Sequence, residues 1–178
     1  MSALDWSITG MRDATRRLLR VSAWDRPRAF AVISEAVWWV TIVDGTLLRY
    51  DPEAYDGVLG SQPPAERRLI EGTFAGLRFV RNQMGNDIDH VDFIHPEVSR
   101  SGHGDSRIMT WTWRSVPEPA LASLPPRGQV WEMARHRAYE DQLAGHIVGE
   151  IFGRAAAFLE MVAAKATLVT DISAPGAR

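Results

Sequence analysis

Between Arg28 and Tyr50 the chain reads RAFAVISEAVWWVTIVDGTLLRY, a run so apolar that any fold of this sequence must be built around it. Val32, Ala36, Trp39, Val43 and Leu47 recur at helical spacing, while Val37, Trp38, Trp39 and Val40 are consecutive large apolar residues, not the alternation of a half-exposed strand. Asp25 followed by Pro27 supplies a cap and a first-turn proline. The spacing therefore predicts a long central helix. A rival reading stays open over residues 37–50, because Asp44-Gly45 between VWWVTIV and TLLRY is also a hairpin signal. In the helical reading Glu35 sits in the most buried element, where a carboxylate is costly unless a cation or donor meets it. Arg81 is the partner expected for it. The run from Ala29 to Val43 carries Glu35 and is shorter than the roughly 20 residues of a membrane span, so no membrane partner is expected.

Around this element the chain is mostly helical in pattern. Met11, Ala14, Leu18 and Val21 mark a first amphipathic helix with Asp5 or Ser7 as cap. Its outer face carries Arg12, Arg16, Arg17 and Arg20, and Arg26 and Arg28 follow; a solvated face is expected, with phosphate binding as the alternative. Asp51-Pro52 ends the central helix, and DPEAYDGVLGSQPP reads as a connection with one short helical turn. A further helix runs from the Pro63-Pro64 pair to Met84. Ile70, Thr73, Leu77, Val80 and Met84 form its buried stripe, Arg81 lies at the rim, and Gly85 is the stop. Residues 87–105 look like loop. Residues 107–114, RIMTWTWR, alternate as a strand whose expected partner is the segment around Val91 to Ile94. After the proline-rich stretch from Val116 to Gly128 the chain is helical again, starting with Val130, Met133, Arg137 and Ala138. It breaks near Gly145 and resumes with an apolar stripe through Ile147, Ile151, Ala155, Phe158, Leu159 and Val162. Gly149 and Gly153 are places where another helix can approach closely. The tail after Lys165 is expected to fray. The predicted fold is mainly α: one domain over 1–178, a bundle of four to five helices with a small β excursion near residues 107–114.

Composition narrows the chemistry. The chain has 178 residues with 46% hydrophobic and 24% charged, the balance of a globular domain. A net charge of −2 gives no global field for nucleic acid, so any such contact is local. With no cysteine, disulfides and thiol catalysis are excluded, and a cytoplasmic location is the expectation. There is no Walker loop, dinucleotide fingerprint or nucleophile elbow. His90, Asp92, His95 and His103 are candidate metal ligands, but they lack a helical i, i+4 pair and read as ordinary loop residues, so no metal and no cofactor is expected. Of the seven tryptophans, Trp38 and Trp39 are expected in the core, and Trp111 and Trp113 against the bundle.

The polar end of the third long helix carries the one functional pattern. Arg81-Asn82-Gln83-Met84-Gly85-Asn86 resembles the signature of the HEPN superfamily (higher eukaryotes and prokaryotes nucleotide-binding), an arginine, often an asparagine, then a histidine four to six residues on. The resemblance implies an all-helical homodimer with an RNA- or nucleotide-facing cleft, of the metal-independent ribonuclease type found in toxin–antitoxin and phage-defence systems, and a protein partner such as an antitoxin. It implies site residues Arg81, Asn82 and Asn86, with Glu35 on the preceding long helix. Here Asn86 stands where the histidine is expected. Arginine suits a phosphate because its fork is always charged and bidentate. Asparagine orients a substrate but does not carry a proton near neutrality, the task histidine performs. Positions 81 and 86 point about 140° apart on a straight helix, so a stop at Gly85 would help Asn86 turn back. The expectation is a weakened or inactive ribonuclease; the alternative is a non-catalytic helical dimerisation or partner-binding protein.

Overall fold

The computed structural model describes residues 3–22, 24–86, 92–100, 107–118 and 125–173, with side chains at 85–86, 99–100, 107–108 and 167–173 excepted. In chain order the elements are α1 (Ala3–Leu18), α2 (Arg26–Tyr50), α3 (Pro52–Ser61), α4 (Pro64–Asn86), β1 (Ile94–Arg100), β2 (Arg107–Trp113), α5 (Pro126–Gln142) and α6 (Val148–Ser173). The molecule is mainly helical with one small antiparallel hairpin, as the patterns predict.

Asp25 caps α2 by accepting from the Arg28 N–H at 3.1 Å, and the helix continues unbroken through Asp44 and Gly45. The hairpin reading is thereby ruled out. Asp44 is buried against neighbouring helices and takes no part in a turn. Asp51 then closes one helix and opens the next. Its N–H donates to the Leu47 carbonyl at 2.9 Å, while its side chain accepts from Ala54 N–H at 3.0 Å. The segment expected to be a connection is thus a ten-residue helix, α3. At the other end, Asp5 and Ser7 lie inside α1, which already runs from Ala3, so neither is the residue that precedes the helix.

α2 is also longer than its apolar stretch suggests. Its 25 residues are long and apolar enough to cross a membrane by length and composition. It packs instead as a core helix here, with α1, α4 and α6 against it and Asp44 buried on it. α1 covers one side by burying Ile8, Met11, Ala14 and Leu18. Gly10 lets the partly buried Trp39 lie flat on α1, since a Cβ there would stand 2.7 Å from the indole. Trp38, expected in the core, is half exposed.

α4 and α5 pack closely along their length. A Cβ at Gly76 would meet the Tyr139 Cα at 3.0 Å and Leu143 Cδ1 at 2.7 Å, so this glycine sets how closely the two helices approach. The glycines expected to do so, on α6, do not: Gly153 has no atom within 4 Å of such a Cβ, and Gly149 meets only a Leu19 methyl at 3.3 Å.

The hairpin pairs Ile94 with Trp113 at one end and Arg100 with Arg107 at the other. β2 forms where its alternation predicts, but its partner strand runs over 94–100, so that Ile94 of the expected segment only begins it. Pro96 and the polar Glu97 and Ser99 hide a strand in a segment that reads as loop, and an edge strand tolerates the proline. The hairpin is moored by backbone hydrogen bonds: Trp113 N–H donates to His146 O at 3.0 Å, Gly145 N–H to Trp113 O at 2.8 Å, and Arg114 N–H to Phe93 O at 2.9 Å. Gly145, with φ of 79°, makes the expected break between α5 and α6. Tyr139 is fully buried where α4, α5 and the hairpin meet, with Phe79, Phe93 and Trp113 around it at ring-centroid distances of 5.5, 5.6 and 6.2 Å.

Candidate functional site

α4 runs antiparallel to α2 on one side and to α5 on the other, so successive residues near its C-terminal end meet different neighbours. At about 100° per residue, Arg81 turns toward α2, and Asn82 and Gln83 turn toward α5. The helix passes through the expected stop at Gly85 and includes Asn86. Asn86 therefore stays on the helix and is not freed to turn back, and its side chain lies outside the described residues.

Two arginines of α4 face α2 one turn apart, in opposite environments. Arg78 forms an ion pair with Asp44, which is fully buried and also accepts from Tyr55 Oη at 2.8 Å. Burial pushes the Asp44 carboxyl upward from its ordinary range, against the pull of Arg78 and the Tyr55 hydrogen bond. Arg78 is thus neutralised in place. Arg81 is not. Its guanidinium carbon lies 4.6 Å from the centroid of the Trp38 ring, and among the described residues it has no ion pair or hydrogen bond. This places a half-buried cation on a half-exposed indole. Face-to-cation contact stabilises by about 0.5–1 kcal/mol at such a position and leaves the guanidinium N–H edge available.

The pairing expected between Arg81 and Glu35 does not form. Glu35 faces α1 and makes a surface ion pair with Arg17; it is 38% exposed and lies outside the deep core. That hydrogen bond raises the Arg17 guanidinium pKa. Periodicity placed a carboxylate on α2 opposite an arginine on α4, and such a pair exists, but as Asp44–Arg78. Asp44 was hidden because Asp-Gly reads as a turn.

On the α5 side Glu132, 6% exposed, gathers the polar end of α4. Asn82 Nδ2 donates to its Oε2 at 3.1 Å, Gln83 Nε2 donates to its Oε1 at 3.1 Å, and Arg135 Nη1 lies 3.5 Å from Oε2. One turn on, His136 is buried with Nε2 3.0 Å from the Val116 carbonyl oxygen, and Phe79 packs on its ring. Neither Glu132 nor His136 is legible as a site residue from sequence, because α5 shows no regular apolar stripe to mark its buried face.

Of the expected site residues, the fold brings Arg81 and Asn82 to one end of α4 and puts Glu35 on the far side of α2. Asp92 of the histidine-rich segment is clamped by Arg26 and by Arg114, the latter at 2.7 Å. His90 and His103 lie outside the described residues, and among the described residues no cluster of three metal-ligating side chains occurs. Four of the six arginines near the N-terminus, Arg12, Arg16, Arg17 and Arg26, stand in exposed ion pairs, which is the solvated face expected. No protein-family model, curated protein or solved structure matches this chain.

Proposed function

We propose that this protein is a HEPN-like helical homodimer that binds single-stranded RNA or a nucleotide at the Arg81 end of α4 and cleaves it feebly or not at all. The observation that carries the reading is Arg81 itself, a cation with no carboxylate partner among the described residues, laid on the half-exposed Trp38. A guanidinium plane and an indole are the two surfaces on which unstacked bases settle, and the guanidinium also holds phosphate. Weak cleavage follows from the residues: Asn82 spends its donor on Glu132, Glu35 is held by Arg17, and Asn86 carries no proton near neutrality. The dimer rests on the resemblance and on exposed Trp24, Val130 and Trp131. The apolar stripe of α6 adds nothing to it, being buried inside the single chain from Ile151 to Val162.

Fluorescence anisotropy with a labelled single-stranded RNA tests binding. Arg81→Ala and Trp38→Ala should each weaken it by roughly tenfold or more, in line with about 1–3 kcal/mol per stacked base, while Arg16→Ala should change little. Unaltered binding in both site variants sinks the proposal. Asn86→His should raise cleavage without sensitivity to EDTA, and adding Arg81→Ala should remove the gain; general acid–base groups typically supply about 10²–10⁴ in rate. Light scattering should report a dimer, and a monomer at all micromolar concentrations would remove that part.

A further inference from the structure

The hydrogen bonds at Glu132 fix something that sequence cannot: which way two amides face. A carboxylate accepts and does not donate, so Asn82 and Gln83 must turn their NH₂ groups toward it. Their carbonyl oxygens are then left on the other side of each amide as acceptors, and among the described residues nothing donates to either. Both side chains are half-buried, and they follow Arg81 in the chain, on the α5 side of α4 where Arg81 is on its α2 side. Resting on the RNA-facing reading above, we infer that Glu132 is a positioning residue and that Asn82 and Gln83 form a base-reading pair of acceptors. The ligand such a pair takes is a base that offers donors. Guanine presents an N1–H beside an N2 amino group, two adjacent donors on one edge. Adenine and cytosine offer one amino group each beside an acceptor. Uracil offers a single N3–H flanked by two carbonyl oxygens, which the amide oxygens repel. The preferred ligand is therefore single-stranded RNA with an accessible guanine, and the order is guanine, then adenine or cytosine, then uracil. Arg81 and Trp38 supply affinity that is blind to the base, while the amide pair supplies discrimination.

The test uses the full chain and four labelled RNAs, each an oligouridine tract with one central position varied among the four bases. The native protein should bind the guanine form about tenfold more tightly than the all-uridine form, the gain of two neutral hydrogen bonds. Glu132→Gln can itself donate, which lets one amide flip, so the preference should collapse toward parity while affinity for the all-uridine RNA holds. Should that variant lose its circular dichroism signature, Gln83→Met decides, since it removes one acceptor and leaves Glu132 its contacts with Asn82 and Arg135. A purely structural role for Glu132 would lower affinity for all four RNAs alike. Equal binding of the four RNAs by the native protein, or a preference that survives both variants, overturns the inference. If Arg81→Ala still weakens binding in that case, the RNA-facing reading stands without it; no binding of any RNA removes both.

Discussion

The cost of a buried charge depends on what meets it, and two carboxylates on α2 show the difference. Glu35 at the surface is met by Arg17 in a screened pair, and removing either should cost at most about 1 kcal/mol. Asp44 has no contact with solvent and is met by Arg78 and Tyr55. Arg78→Met should destabilise by about 3–5 kcal/mol, because it leaves a buried carboxylate unpaired, whereas Asp44→Asn combined with Arg78→Met should recover much of that loss. Additive effects in chemical denaturation of the two singles and the double would refute the coupling. The pH dependence has a definite sign. Burial raises the folded-state value of Asp44 above its ordinary 3.8, so its contribution is fully present below that value and is lost as pH rises through the higher folded one. Asp44→Asn should accordingly flatten the stability profile above pH 3.8, and an unchanged profile would contradict this.

At the scale of elements, what sequence made legible was periodicity, and what it hid was context. The α1, α2, α4 and α6 stripes and the β2 alternation were all readable from their spacing, although β2 also buries Thr112 between Trp111 and Trp113. α3 was missed because its ten residues are bracketed by prolines and carry two glycines, and β1 because its partner strand, not its own propensity, holds it in place. The candidate site was legible only in part: Arg81 and Asn82 came from a motif, but Trp38 read as core and Glu132 carried no signal at all. Close approach was assigned to the wrong helix for a similar reason, since only the packed structure shows which glycine faces a neighbouring backbone. Gly76→Ala should therefore cost about 1–3 kcal/mol by overpacking against Tyr139, although alanine is the better helix former. Gly153→Ala, in open space, should stabilise by up to about 1 kcal/mol. Thermal melting of the two variants should move in opposite directions; shifts of the same sign would show that the α4–α5 spacing is not set at Gly76.

Taken whole, the molecule has one core, in which residues from all six helices and the hairpin form a single contiguous cluster. Two tyrosines tie different elements into it. Tyr55 joins α2 to α3 through Asp44 and stacks edge-on against Phe158 of α6 at 5.2 Å, while Tyr139 donates to the Arg114 carbonyl and so ties α5 to the end of the hairpin. Burial raises the ionisation of both phenols far above 10.0, and the carboxylates of Asp44 and Glu140 push in the same direction. Both contributions are therefore complete below pH 10.0 and are lost as the pH climbs from there toward the folded-state values. In that window the unfolded chain gives up protons that the folded one keeps. Each tyrosine should subtract about 1.4 kcal/mol from stability per pH unit. Lysine and arginine add little to this slope, because Lys165 is the one lysine in the sequence and arginine stays protonated throughout. Denaturation midpoints followed upward from pH 9 should hold level and then fall steeply, with far-ultraviolet dichroism and tryptophan fluorescence falling together because the core is shared. Tyr55→Phe and Tyr139→Phe should each remove about half of that slope and together nearly all of it, at a cost of about 1 kcal/mol per lost hydrogen bond at neutral pH. A slope that persists in the double variant, or two probes that separate, would mean that the tyrosines do not couple these elements to one unfolding step.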